Sequence, residues 1–167
     1  MQKFTSATTS INCRKLPAVY NKAKFSAPCV LDYGCGKYTD HIKDFLRHNY
    51  GVVLLRYDPY NQPKDINNDT KNCVRSFIRC KCPLDVVCSN VLNVIDSDDA
   101  VQKIARYIEN VVTKTGGTAY ITVYEGDRSG IGRQTGKDSY QRNARLRDYL
   151  RFFRNARVYK GMIIVER

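Results

Sequence analysis

The chain contains no apolar run approaching the roughly 18 consecutive residues that a membrane-spanning helix needs, so no membrane span is expected. Its opening, MQKFTSATTS, is too polar to form the core of a secretory signal, and the expectation is a soluble, cytoplasmic protein. Histidine is nearly absent: His41 and His48 lie seven residues apart on a predicted helix and do not form a metal-ligand pair. The seven cysteines are odd in number and too sparse for a disulfide-built secreted domain, so reduced thiols are expected. Cys80 and Cys82 are the closest pair, yet no second CxxC completes a zinc site, and no metal is expected. Internal repeats and low-complexity tracts are also missing.

What is present is a 167-residue chain with 43% apolar residues, the length of a single domain and too apolar for disorder. The formal net charge is +12, and it is unevenly placed. Residues 1–28 carry five bases and no acid, whereas residues 29–127 carry twelve bases against thirteen acids. Residues 128–160 then hold ten bases and two acids. A neutral middle between two basic flanks points to a polyanionic partner, nucleic acid before a membrane surface, because no long amphipathic helix presents a wide apolar face.

The periodicity divides the chain into a basic N-terminal extension, residues 1–28, and one domain from residue 29 to 167. Within the extension, Leu16 to Tyr20 suggest a turn or short docking helix. Cys29–Tyr33, Val52–Tyr57, Leu84–Cys88 and Thr118–Tyr124 read as strands. Helices are expected over Thr39–His48, from Asp98 to Gly116, and over Ser139–Arg154, with Leu146, Tyr149, Leu150 and Phe153 as the last one's apolar stripe. Residues 60–83 are the least regular part, with one element expected near Val74–Ile78. Ala156–Lys160, Gly161 and Met162–Glu166 read as a terminal hairpin. Alternating strands and helices predict an open α/β sheet with a largely parallel core, finished by that antiparallel hairpin.

In such sheets ligands bind beyond the carboxyl ends of the strands, where strand order reverses. Three predicted strand ends carry suitable groups: Asp32-Tyr33-Gly34-Cys35-Gly36, then Asp58, then Ser89-Asn90. The glycines permit a tight turn close to a ligand, and a carboxylate 22 residues after Gly36 suits ribose hydroxyls. A dinucleotide fingerprint needs a third glycine where Thr39 stands. An acid two residues before the first glycine suits a cationic amino-acid tail better than a pyrophosphate. Both features favour S-adenosylmethionine over a nicotinamide dinucleotide.

These segments, with Val30-Leu31 ahead of the turn, Asp58-Pro59-Tyr60 and Asp85-Val86-Val87-Cys88-Ser89-Asn90-Val91-Leu92, resemble a class I S-adenosylmethionine-dependent methyltransferase over residues 29–166. Asn90–Ile95 and Thr135–Gln141 are similar, more narrowly, to phage-type methyltransferases and to those associated with DNA phosphorothioation. The resemblance implies a Rossmann-like sheet with helices on both faces. It also implies that the glycine turn holds the amino-acid part of the cofactor, that Asp58, Pro59 and Tyr60 border its ribose, and that Ser89 and Asn90 line the pocket. S-adenosylhomocysteine would be the product. The chain departs from the family between Tyr60 and Pro83, where a helix, a strand and a second helix do not fit; Asp65 and Asp69 are the candidates for contacting the adenine.

The accepting atom stays open. The fourth-strand end reads Ser89-Asn90-Val91-Leu92, without the prolines and aromatic of amino-methylating DNA enzymes, and Pro83 is followed by Leu84 rather than a nucleophilic cysteine. Asn90 and Glu125 are the catalytic candidates, Glu125 as proton acceptor. Tyr124 and Tyr60 are candidates to stack on a base, and Arg128, Arg133, Lys137 and Arg142 to hold phosphates. The expectation is a methyltransferase acting on DNA, in a bacterial host cell if phage-encoded. A cofactor-binding module without catalysis, and a methyltransferase for a protein or small molecule, are the alternatives.

Overall fold

The computed structural model describes residues 15–136 and 139–167. A six-stranded sheet forms the centre: β1 (Cys29–Tyr33), β2 (Val53–Tyr57), β3 (Asp85–Ser89), β4 (Ala119–Thr122), and the terminal pair β7 (Ala156–Tyr159) and β8 (Met162–Val165). Their spatial order is β2-β1-β3-β4-β8-β7. The first four run parallel, while β8 pairs antiparallel with both β4 and β7. The Rossmann-like α/β architecture with a C-terminal hairpin is therefore as the sequence predicts. A separate two-stranded ribbon, β5 (Arg133–Gly136) with β6 (Ser139–Gln141), projects from the loop after β4.

Alternation along the strands splits the core into two layers. Leu31, Val86, Cys88, Ala119, Ile121, Ile163 and Val165 face one side, against α3 (Lys64–Cys80) and α4 (Asp98–Thr115). Val30, Val87, Tyr120, Met162 and Ile164 face the other, against α1 (Ala18–Lys22) and α2 (Asp40–Tyr50). The second layer extends into the basic N-terminal segment, where Val19, Tyr20, Ala23, Phe25 and Ala27 are buried. Asp85 pins this segment: its carboxylate accepts backbone N–H groups from Ser26 and Ala27 at 3.0 and 3.1 Å, and from Thr118 at 2.8 Å. Among the described residues no helix is long and apolar enough to cross a membrane.

Two expectations are corrected. Residues 64–80 form a 17-residue helix with no strand, rather than an irregular stretch with a small element. Its inward face is partly polar, with Asn67, Thr70 and Val74 buried, which hides the helical period from an apolar count. Asn67 completes the backbone of Asp58 by accepting its N–H and donating to its carbonyl, both at 2.9 Å, and the Thr70 hydroxyl donates to the Arg56 carbonyl at 2.7 Å. Residues 139–154 are not an α-helix either: they comprise β6, a connection holding Arg142, and a 3-10 helix, Leu146–Phe152. Leu146, Tyr149 and Phe152 are its buried residues, a spacing of three that fits a 3-10 turn.

Candidate functional site

The chain passes from β1 to β2 on one side and then, through α3, to β3 on the other side of β1. Strand order thus reverses between β1 and β3, and a switch point of this kind is where a ligand crevice is expected, beyond the carboxyl ends of the two strands. Gly34 and Val91 meet there. Gly34 has φ +82°, and a Cβ there would lie 2.3 Å from Val91 Cγ2, so a side chain would separate the two strand ends. Gly36, also at positive φ, faces open space: a Cβ would meet nothing within 4 Å.

Asp32 is 3% exposed, and its only hydrogen-bond partner among the described residues is the Tyr20 hydroxyl, which donates to Oδ2 at 2.7 Å. Burial pushes its pKa up to about 7; the Tyr20 hydrogen bond opposes the shift and the nearby Asp58 charge adds to it. No cation lies in contact with it among the described residues. Cys35 sits within the field of both carboxylates, and burial followed by those charges raises its thiol pKa. Tyr33 departs from the expected cluster: it lies in register with Tyr57 and turns to the opposite face of the sheet, toward Tyr107.

Asp58 joins the two loops. Its Oδ2 accepts the Gly36 N–H and the Asn61 side-chain amide, each at 3.0 Å, and its Oδ1 accepts the N–H groups of Tyr60 and Asn61, each at 3.0 Å. Four donors fill the capacity of a carboxylate. Three of these donors are backbone N–H groups, and the fourth is the Asn61 side-chain amide. Gln62 reinforces the link by donating to the Gly36 carbonyl at 2.6 Å. Pro59 and Tyr60 are exposed beside it, and Asp65 and Asp69 stand exposed on α3.

On the β3 side, the Ser89 and Thr122 hydroxyls are 3.0 Å apart, and the Asn90 N–H donates to the Thr122 carbonyl at 2.9 Å. Asn90 is exposed and in the left-handed region, φ +56°. Tyr124 is 64% exposed. Glu125 has a partner on each oxygen: Oε1 accepts the Leu146 N–H at 2.7 Å and Oε2 pairs with Arg128 at 2.7 Å. The Leu146 hydrogen bond, then Arg128, hold its pKa below the usual carboxylate range. Arg142 is built into the scaffold, donating to the Ile95 carbonyl and pairing with Asp98 at 2.6 Å. Arg133 is exposed on β5 with no ion pair among the described residues. Lys137 lies outside the described residues.

The structure thus brings together Asp32, Gly34, Cys35, Gly36 and Asp58. Sequence reasoning missed Tyr20, Asn61 and Asn67, the residues that orient the two acids. Only the short apolar turn around Tyr20 offered a signal. In comparisons with known proteins, the chain matches no family model, no curated protein and no solved structure.

Proposed function

We propose that the chain is an S-adenosylmethionine-dependent methyltransferase acting on nucleic acid, DNA in preference to RNA. The observation that carries this reading is Asp32, a buried carboxylate beside the strand-order reversal with one partner, a neutral one, among the described residues. Burying a carboxylate without a compensating charge is unfavourable, and the cationic amino-acid tail of this cofactor supplies that charge. The space beside Gly36 suits the same group.

When bound, the cofactor supplies a methyl group on a sulfonium, already activated for displacement. The remaining work falls to alignment and electrostatics, which the chain's own residues provide. Asp32 holds the cationic end, with Gly34, Cys35 and Gly36 forming the turn around it. Asp58 orders the loop bearing Pro59 and Tyr60, and would take the ribose hydroxyls in place of the Asn61 amide. Ser89 and Asn90 border the crevice from β3, where Asn90 orients the accepting group. Glu125 ties the loop after β4 to Leu146 and Arg128 and keeps acceptor capacity for a proton from the accepting group. Arg133 and Arg128 on that loop, with Lys137, meet phosphates, and Tyr124 offers a face to a base.

The test is transfer of labelled methyl groups to phage or bacterial DNA, expected to weaken as salt rises. Ser89-Asn90-Val91-Leu92 at the end of β3, without the prolines and aromatic of amino-methylating DNA enzymes, favours one second reading, a cofactor-binding module without catalysis. Saturable cofactor binding with no label in DNA or RNA would establish it. Label appearing in a protein or small molecule, unaffected by neutralising Arg128, Arg133 and Lys137, would redirect the substrate assignment.

A further inference from the structure

Below the crevice, on the other face of β1 and β2, lies a pocket of about 320 Å³ between α3 and α4. Its aromatic wall is Tyr33, Tyr57 and Tyr107, with ring centroids 5.0 Å apart for Tyr33–Tyr57 and 5.4 Å for Tyr33–Tyr107. None of the three phenol groups has a hydrogen-bond partner among the described residues. Lys71 and Arg75 enter from α3 and Lys103 from α4, and no carboxylate lines the pocket. None of these three cations forms an ion pair among the described residues; Lys71 sits 5.5 Å from the Tyr57 ring centroid, and Arg75 donates to Asn72 Oδ1 at 3.3 Å.

This concentration is not an overflow from the basic flanks, because residues 29–127 carry one more acid than base. Three exposed cations line one pocket with no acid beside them, and an anion bound there would be attracted to all three. Flat tyrosine faces beside them suit a planar ring. We propose that this pocket binds a nucleoside monophosphate unit, its base against Tyr33, Tyr57 and Tyr107 and its phosphate held by Lys71, Arg75 and Lys103. The volume is at the small end of ligand pockets, roughly 300–1,000 Å³, which favours one nucleotide over a dinucleotide or a peptide helix.

The site is separate from the adenosyl crevice. Alternation sends Tyr33 and Tyr57 to the α3/α4 face, while Asp32 turns to Tyr20 on α1. The pocket's occupancy therefore does not depend on the proposed methyl transfer.

Calorimetric titration of the full chain with adenosine 5′-monophosphate and thymidine 5′-monophosphate tests this. Saturable one-to-one binding of at least one of them is expected, with the corresponding nucleoside or inorganic phosphate alone weaker by about tenfold or more. Lys71→Glu and Lys103→Glu, both on exposed helix positions, should each weaken the nucleotide by about tenfold without changing the melting temperature or S-adenosylhomocysteine binding. Competition by a 5′-phosphorylated trinucleotide separates the sources: displacement of the mononucleotide identifies a strand end, and no displacement identifies a free nucleotide. Absence of saturable nucleotide binding overturns the proposal, as does binding that both substitutions leave unchanged. Displacement of the nucleotide by S-adenosylhomocysteine would place it in the adenosyl crevice and overturn the proposal equally.

Discussion

Asp85 and Asp32 are buried acids on neighbouring strands, and their surroundings differ in kind. Asp85 opens β3 and accepts three backbone N–H groups, which tie the N-terminal segment and the start of β4 to the sheet. Asp32, near the end of β1, has one phenol donor among the described residues and acceptor capacity to spare. The first acid is consumed by the fold. The second is buried with its charge poorly compensated, and that difference marks a ligand site more clearly than burial does.

The comparison can be broken most forcefully at Asp85. Asp85→Ala leaves three backbone donors without their acceptor and should cost about 3–5 kcal/mol in urea unfolding. Asp32→Asn should do the reverse for stability. Its folded pKa of about 7 lies above the ordinary carboxyl value of 3.8, so the fold favours the protonated form. Wild-type stability therefore falls as pH rises from about 4 through 7, while the neutral amide is spared that loss. The variant should melt higher than wild type at pH 8, yet bind S-adenosylmethionine about 100-fold more weakly.

Two smaller effects sharpen the contrast. Asn61→Ala removes one of four donors from Asp58 and should lower stability by about 0.5–1.5 kcal/mol while tightening S-adenosylhomocysteine binding, both measurable by calorimetry. Arg133→Ala should reduce the slope of log affinity for DNA against log salt by about one, with cofactor binding unchanged.

The parallel strands, α2, α4 and the terminal hairpin were legible because their apolar residues recur at the period of the element they form. The Asp32 turn was legible because its glycines and acid lie close together in sequence. The helix α3 was not, since Asn67 and Thr70 occupy its buried face and bond to backbone that only the folded chain supplies. The 3-10 helix reads as α-helical because Leu146, Tyr149, Leu150 and Phe153 recur at the α-helical spacing, whereas the residues it buries, Leu146, Tyr149 and Phe152, are three apart. Tyr20 donating to Asp32, and the gathering of Lys71, Arg75 and Lys103, depend on contacts across elements and leave no trace in local spacing.

The most direct measurement is calorimetric titration of the wild-type chain with S-adenosylmethionine at pH 6, 7 and 8, repeated in buffers of different ionisation enthalpy. A cation settling beside Asp32 must expel its proton, so affinity should rise by up to about tenfold per pH unit below 7 and level off above it, with proton release at pH 6. Saturable binding that neither varies with pH nor releases a proton would separate the cofactor from Asp32. No binding at pH 8 would contradict the account outright.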